Sequence, residues 1–200
     1  MDPVSGGRAA IYREPSGPSG VHVENLPEPQ ARPGYVRVQT RAAGLNHLDL
    51  WLASGAQRVE PPRVICADGA GVVAEPGGRW KAGDEVVVYP VRCCWECDQC
   101  RAGRQVFCPD FGIYGEQCDG SACESFLVPE RNLYPKPAGL SWAEAAAFPL
   151  TFLTAWRMLT TKAAIQPGET LLVVGAGAGV AAAAIAIGKH LGARVLATSR

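Results

Sequence analysis

The sequence predicts an α/β chain whose β-rich first part forms a small, irregular barrel or sandwich, followed by one strand–helix–strand unit. Three observations predict it. Glycine (23) and proline (16) make up about a fifth of the 200 residues, against about 12% in an average protein, as many short strands joined by tight turns require. The segments "ARPGYVRVQ", "WKAGDEVVVYP" and "IQPGETLLVVG" share one pattern, a Pro-Gly or Ala-Gly turn followed by a β-branched run. After "PKPAGL" the character changes to alanine-rich apolar runs that read as helix.

In chain order, strands are expected at "AAIY", "VHVENL", the run after Pro33-Gly34, "VICADGAGVVAE", the run after Ala82-Gly83, "ESFLVP" and "NLYPKP". One short helix is expected at "HLDLWLAS", with Leu48, Leu52 and Trp51 on its inward face. Ser141 and Glu144 form a capping box that opens "AAAFPLTFLTAWRML" as a helix kinked at Pro149. Strand "TLLVVG", loop "AGAG", helix "VAAAAIAIGKHL", Gly192 as its cap and strand "RVLATS" complete one βαβ unit. Two parallel strands cannot bury both faces, so this last third is expected to open a larger domain. The expected division is 1–140 and 141–200.

Lys plus Arg and Asp plus Glu both count 19. A balanced charge argues against a polyanion such as nucleic acid or an anionic membrane surface as partner. The N-terminus lacks the basic-then-apolar order of a secretory signal, and the nearest candidate for the roughly 18-residue apolar run of a membrane span, Leu171 to Gly188, is set aside for its four glycines and many alanines. The expectation is a cytoplasmic protein with a small-molecule partner. In that compartment clustered cysteines hold metals more often than disulfides.

Five of the eight cysteines fall in "CCWECDQCRAGRQVFC". Cys94, Cys97, Cys100 and Cys108 follow C-x2-C-x2-C-x7-C, in which two-residue gaps let successive thiolates converge and a longer loop returns the fourth. Four thiolates close a tetrahedron, so a zinc ion in this lobe (93–109) is read as structural. An iron–sulfur centre shares the opening but wants a shorter last gap, and unmetallated thiols are the third reading. Cys93 is expected to point elsewhere, and Cys93, Cys118 and Cys123 to be buried small hydrophobes.

"VVGAGAGVA" follows a strand and opens a helix, the context of a dinucleotide fingerprint. Gly175 permits the tight turn, Gly177 and Gly179 let backbone N–H groups approach a pyrophosphate, and Val180, at the helix start, is counted with them as a cofactor-binding position. The second strand ends in Thr198, Ser199 and Arg200 rather than an acid, which favours the 2′-phosphate of NADP(H) over NAD(H). Arg200 also reads simply as a solvated terminal side chain.

These parts together resemble the medium-chain dehydrogenase/reductase superfamily, the zinc alcohol dehydrogenase and quinone oxidoreductase group. The resemblance runs from about Ala9 to Arg200 and is specific at "GLNHLDLW", "CADGAGVVAEPG", "KAGDEVVV", the cysteine lobe, "AAAFPLTFLTAW" and "VVGAGAGV". It implies a GroES-like β-barrel catalytic domain followed by the first βαβ unit of a Rossmann domain, in a truncated member, with a homodimer as one expectation for the full-length parent. In zinc alcohol dehydrogenases of this group the catalytic metal is held by Cys, His and a further Cys or acid. Those positions fall here on Asn46, Ala67 and about Leu150, so the resemblance implies a structural zinc without a catalytic one.

The activity implied by the resemblance is NADPH-dependent hydride transfer to a quinone or enone, with Asn46 hydrogen-bonding the acceptor oxygen or the nicotinamide ribose. Asp49 is read as either an orienting group or a helix cap. His47 is read as either a helix-start residue or a group near the cofactor phosphates, and Trp51 as a candidate lining of the substrate cleft. Two alternatives stand beside this reading. One is a zinc alcohol dehydrogenase with an atypical second metal site, for instance on Cys66, His47 and Asp68. The other is an inactive zinc-binding domain.

Overall fold

The structure, a computed structural model, describes residues 5–199. It divides into two compact units, one up to Ala147 and one from Phe148.

The first unit contains strands β1 (Ser5–Tyr12), β2 (Val21–Leu26) and β3 (Tyr35–Gly44), then helix α1 (His47–Ala53). Strands β4 (Arg63–Val64), β5 (Asp68–Val73), β6 (Glu85–Val88) and β7 (Val91–Arg92) come next, then helix α2 (Asp98–Arg101). Strands β8 (Gly112–Ile113), β9 (Cys123–Pro129) and β10 (Leu133–Pro135) and helix α3 (Trp142–Ala147) complete it. Eight of these strands form one sheet among the described residues, in the order β10-β6-β5-β3-β9-β1-β2 with β4 on β1. Its strand pairs are antiparallel. Buried side chains from across the whole order, among them Leu133, Val86, Val73, Val38, Phe126 and Ile11, join a single core cluster. The core cluster thus runs along nearly the whole strand order, on the short, closely spaced strands that the turn-rich sequence predicts.

The expected strands appear at their segments, with "VICADGAGVVAE" divided into β4 and β5. Cys66, between them, takes a positive φ of 72°. Glycine is required close to this bend: a Cβ on Gly120 would run into the carbonyl oxygens of Ile65 and Cys66. In α1 the inward residues are Asp49, Leu52 and Ala53, whereas Trp51 is half exposed and Leu48 only partly buried. The expected inward Trp51 is thereby corrected. Its indole packs edge-on against the His47 ring at 5.0 Å, because a residue four positions on lies over the same helix face.

The second unit begins with α4 (Pro149–Trp156), which runs on as a π-helical segment, Arg157–Lys162. Strand β11 (Thr170–Val174), helix α5 (Gly179–His190) and strand β12 (Arg194–Thr198) complete it, and β11 and β12 pair in parallel from Thr170 opposite Arg194 to Val174 opposite Thr198. Ala155, Leu159, Val173, Ala183, Ala184 and Ile187 form its core. The helix expected from Ser141 is broken rather than kinked. α3 ends at Ala147, and Pro149, which has no N–H to give, stands at the first position of α4. The capping box holds: the Glu144 carboxylate accepts from Ser141 N and Oγ at 2.8 and 2.7 Å. Gly192 closes α5 with φ of 77°. Among the described residues no helix is long and apolar enough to cross a membrane.

Candidate functional site

The cysteine lobe lies between β7 and β8, which pair over only two residues as a separate two-stranded sheet. Hydrophobic patterning barely shapes this stretch: its buried side chains are Cys93, Cys100 and Cys108, with Cys94, Trp95, Cys97 and Phe111 packed against them. The ligand atoms of Cys94, Cys97, Cys100 and Cys108 all lie within 4.8 Å of one another. The Sγ of Cys94 is 3.8 Å from that of Cys100 and 3.5 Å from that of Cys108. A tetrahedron of thiolates at about 2.3 Å from one ion has edges of about 3.8 Å, so the residues fit a single metal ion. A [4Fe–4S] cluster, which bonds each thiolate to its own iron, would hold the sulfurs further apart.

Backbone donors prepare the sulfurs for negative charge. The N–H groups of Glu96 and Cys97 point at Cys94 Sγ at 3.4 and 3.3 Å, and those of Cys94 and Asp110 at Cys108 Sγ at 3.4 Å each. The Glu96 and Cys97 amides pull the Cys94 thiol down to about 6. Trp95, at a positive φ of 63°, donates its indole N–H to Asn132 Oδ1 at 3.0 Å. Asn132 is fully buried and donates in turn to the carbonyl of Val91 at 2.7 Å, which ties the lobe to the sheet. Cys93 is outside the four converging sulfurs yet packs against Cys100 and Cys108, so it points into the lobe rather than elsewhere. Cys118 and Cys123 are buried, and burial pushes both thiols up to about 11.

A second constellation lies at the start of α1. Asn46 is its N-cap, and the Asp49 carboxylate accepts from Asn46 N–H at 2.7 Å in a capping box. The other Asp49 oxygen accepts from Cys66 N–H at 2.9 Å. Asp49 is therefore a helix cap that also joins the helix start to the positive-φ turn at Cys66. Burial raises its carboxyl above the ordinary value, opposed by these backbone donors. The Asn46 amide reaches across to Asp68, with Nδ2 2.9 Å from Asp68 Oδ2 and 3.4 Å from the carbonyl of Gly44. Asp68 is fully buried. Sequence reasoning gives Asp68 only as a possible metal ligand and misses this pairing, although an acid directly after Ala67 is its visible signal. The metal set of Cys66, His47 and Asp68 does not assemble: among the described residues only the four lobe cysteines form a group of metal-ligand spacing. His47 is exposed, and burial drives the Cys66 thiol far above its usual value.

The third constellation is the turn between β11 and α5. Gly175 has φ of 80°, which a side chain disfavours, and a Cβ built on Gly175 or Gly177 would meet nothing within 4 Å. The backbone around Gly177 is therefore open to an approaching ligand at the N-terminus of a twelve-residue helix. Gly179 instead faces Thr151 Cγ2, 3.0 Å from such a Cβ, and Val180 packs against the unit's core. Thr198 is not free at the strand end, because its Oγ1 accepts from Gly175 N–H at 3.2 Å and its carbonyl from Ala176 N–H at 2.9 Å. Ser199 is exposed, and Arg200 lies outside the described residues. Asn46, His47 and Asp49 belong to the first unit and the glycine turn to the second.

Residues 32–138 match the alcohol dehydrogenase GroES-like domain family. The chain belongs to the medium-chain dehydrogenase/reductase superfamily. Among its superfamily relatives, the crotonyl-CoA carboxylase/reductase of Cereibacter sphaeroides is 32% identical over 201 residues, spanning 94% of this chain and 47% of that protein. A crystal structure of an NAD-dependent alcohol dehydrogenase superposes with a TM-score of 0.91 at 47% identity, over 96% of this chain and 57% of that one. A cobalt- and zinc-bound thermostable alcohol dehydrogenase from Pyrobaculum aerophilum superposes with a TM-score of 0.87 at 36% identity, over 96% and 59%. The chain thus spans about half the length of the superfamily members it matches. The fold is the one these relatives imply, a GroES-like β-rich domain followed by a βαβ unit.

Proposed function

We propose that this chain carries parts of an oxidoreductase that transfers hydride from NADPH to a small quinone or enone, with one structural zinc held by Cys94, Cys97, Cys100 and Cys108. The observation that carries the reading is the turn at Gly175–Gly179, a strand-to-helix junction where Gly175 and Gly177 leave the backbone open at the place a pyrophosphate would be held. When bound, the cofactor supplies the hydride. The chain's own groups bind and orient: the α5 N-terminus takes the phosphates, with Ser199 and Arg200 assigned to the 2′-phosphate and His47 to phosphate contact. Asn46 is assigned to the small molecule, with Asp49 fixing the helix start beneath it. Similarity to a protein named for crotonyl-CoA, a conjugated enoyl thioester, supports an enone-type acceptor. The division into domains at 1–140 and 141–200 is part of this reading, with the GroES-like part carrying Asn46 and the Rossmann part the cofactor.

Similarity to alcohol dehydrogenases, one of them described as cobalt- and zinc-bound, favours a second reading, an alcohol dehydrogenase with a further metal. Metal analysis together with an NADPH titration separates the two. One zinc per chain with saturable NADPH binding supports the first reading. Two zincs per chain would support the second, and no saturable binding would remove the oxidoreductase reading of this chain.

A further inference from the structure

Hydrogen-bond valence at Asn46 restricts what the residue can recognise. A side-chain amide has two N–H donors and one oxygen with two lone pairs, and a carboxylate is an acceptor only. Asn46 Nδ2 lies 2.9 Å from Asp68 Oδ2 and 3.4 Å from Gly44 O, so both of its N–H groups are directed at protein acceptors. The Asp49 N–H donates to the backbone carbonyl of Asn46 at 3.0 Å rather than to its side chain. What remains at this half-buried position is the side-chain oxygen, Oδ1, as an acceptor.

Asp68 is well placed to hold that orientation. It is fully buried, and its carbonyl accepts from Ser121 Oγ at 2.5 Å, which fixes its backbone. It stands opposite Gly44 in the β3–β5 ladder, and a Cβ on Gly44 would come within 3.0 Å of Asp68 Cβ. The ladder therefore approaches closely just where the carboxylate meets the amide.

We propose that Asp68 is a positioning residue that locks Asn46 with its amide oxygen outward, so that the bound small molecule is recognised there through a hydroxyl donor and not through a carbonyl oxygen. This rests on the proposed function only in taking position 46 as a small-molecule contact. For a quinone acceptor the matching species is its hydroquinone; the other hydroxyl source is the cofactor ribose. Stabilisation of a carbonyl oxygen, the first role expected of Asn46 from the sequence, is thereby reassigned away from it.

The test is a charge-preserving swap. In Asn46→Asp/Asp68→Asn the new amide at 68 donates to the carboxylate at 46, whose second oxygen still accepts. In Asp68→Asn alone the Asn46 amide is released. The probes are NADPH and the non-quinone pair 4-methylphenol and 4-methylanisole, in which a methyl group replaces the hydroxyl proton. The unsubstituted chain is expected to prefer the phenol, Asp68→Asn to lose at least about tenfold of that preference or of NADPH affinity, and the swap to return to within about threefold. A loss in the phenol arm assigns the hydroxyl to the substrate, and a loss in NADPH affinity assigns it to the ribose.

A swap that melts within about 2 °C of the parent yet binds as poorly as Asp68→Asn overturns the proposal and leaves the proposed function standing. An unsubstituted chain that binds none of the probes overturns the proposed function and recognition through Asn46 together. The orientation itself has a readout without ligand: the Asn46 side-chain amide protons should exchange with solvent at least about tenfold more slowly than those of exposed Asn25. Equal rates would refute the lock.

Discussion

Replacing Cys100 by Ser tests whether the lobe is a metal site or a cluster of packed thiols. The ligand atoms of its four cysteines lie within 4.8 Å, and the Sγ separations of 3.5 and 3.8 Å from Cys94 match a tetrahedral edge of about 3.8 Å. Structural zinc contributes roughly 10–16 kcal/mol of apparent binding free energy at pH 7. Shared among four similar thiolates, one ligand corresponds to about 2.5–4 kcal/mol, or about 10²- to 10³-fold in zinc affinity. Cys93 packs in the same cluster but is not among the four, so Cys93→Ser should change zinc affinity by less than about threefold.

Affinity is measured by competition with a chromogenic chelator, and order in the lobe by trypsin. Arg101 and Arg104 are exposed but held between ligands, and should be cut quickly only after chelation or in Cys100→Ser. If the chain holds less than one zinc, if the two serine variants behave alike, or if chelation leaves cleavage unchanged, the metal-site argument fails.

Gly177→Val places its side chain in open space, so it should weaken NADPH binding by at least about tenfold while shifting the melting temperature by no more than about 2 °C, as titration and calorimetry would show. Gly120→Ala, whose Cβ meets the carbonyls of Ile65 and Cys66, should cost about 3 kcal/mol or more in denaturant unfolding. Asp49→Asn can satisfy only one of the two N–H groups that now face the carboxylate, and should cost about 1–3 kcal/mol near neutral pH. Burial raises the Asp49 carboxyl in the folded state, so its favourable contribution is fully present below the unfolded value of about 3.9 and is lost as pH rises through the folded value. The stability advantage of the unsubstituted protein over Asp49→Asn should therefore shrink as pH rises above about 4, and an advantage that grows would contradict the shift.

Much of the sheet was legible because its strands obey local rules. Each Pro-Gly or Ala-Gly turn starts a β-branched run, and β2 at Val21–Leu26 coincides with the expected segment "VHVENL". The lobe's own elements were not legible: β7 and β8 have two residues each and α2 four, too few for a hydrophobic period to register. Their shape is set by where the four sulfurs converge. The π-helical Arg157–Lys162 segment likewise has no signature in an apolar run that fits an ordinary helix.

The pairing of Asn46 with Asp68 was hidden for a sharper reason. In the β3–β5 ladder Thr40 stands opposite Gly71, but the register then slips so that Ala42 faces Ala70, Ala43 faces Gly69 and Gly44 faces Asp68. Without that slip Asp68 would stand opposite Ala43, and a one-residue change of register turns each side chain to the other face of the sheet. A single bulge near Arg41 thus decides whether the carboxylate meets the Asn46 amide. No local preference in the sequence announces it, because a bulge is settled by competition between whole ladders. The orientation of the Asn46 amide depends on a backbone irregularity several residues away, so under the proposed role of Asn46 an insertion or deletion within residues 40–43 should disturb ligand recognition as strongly as a substitution at Asn46 itself.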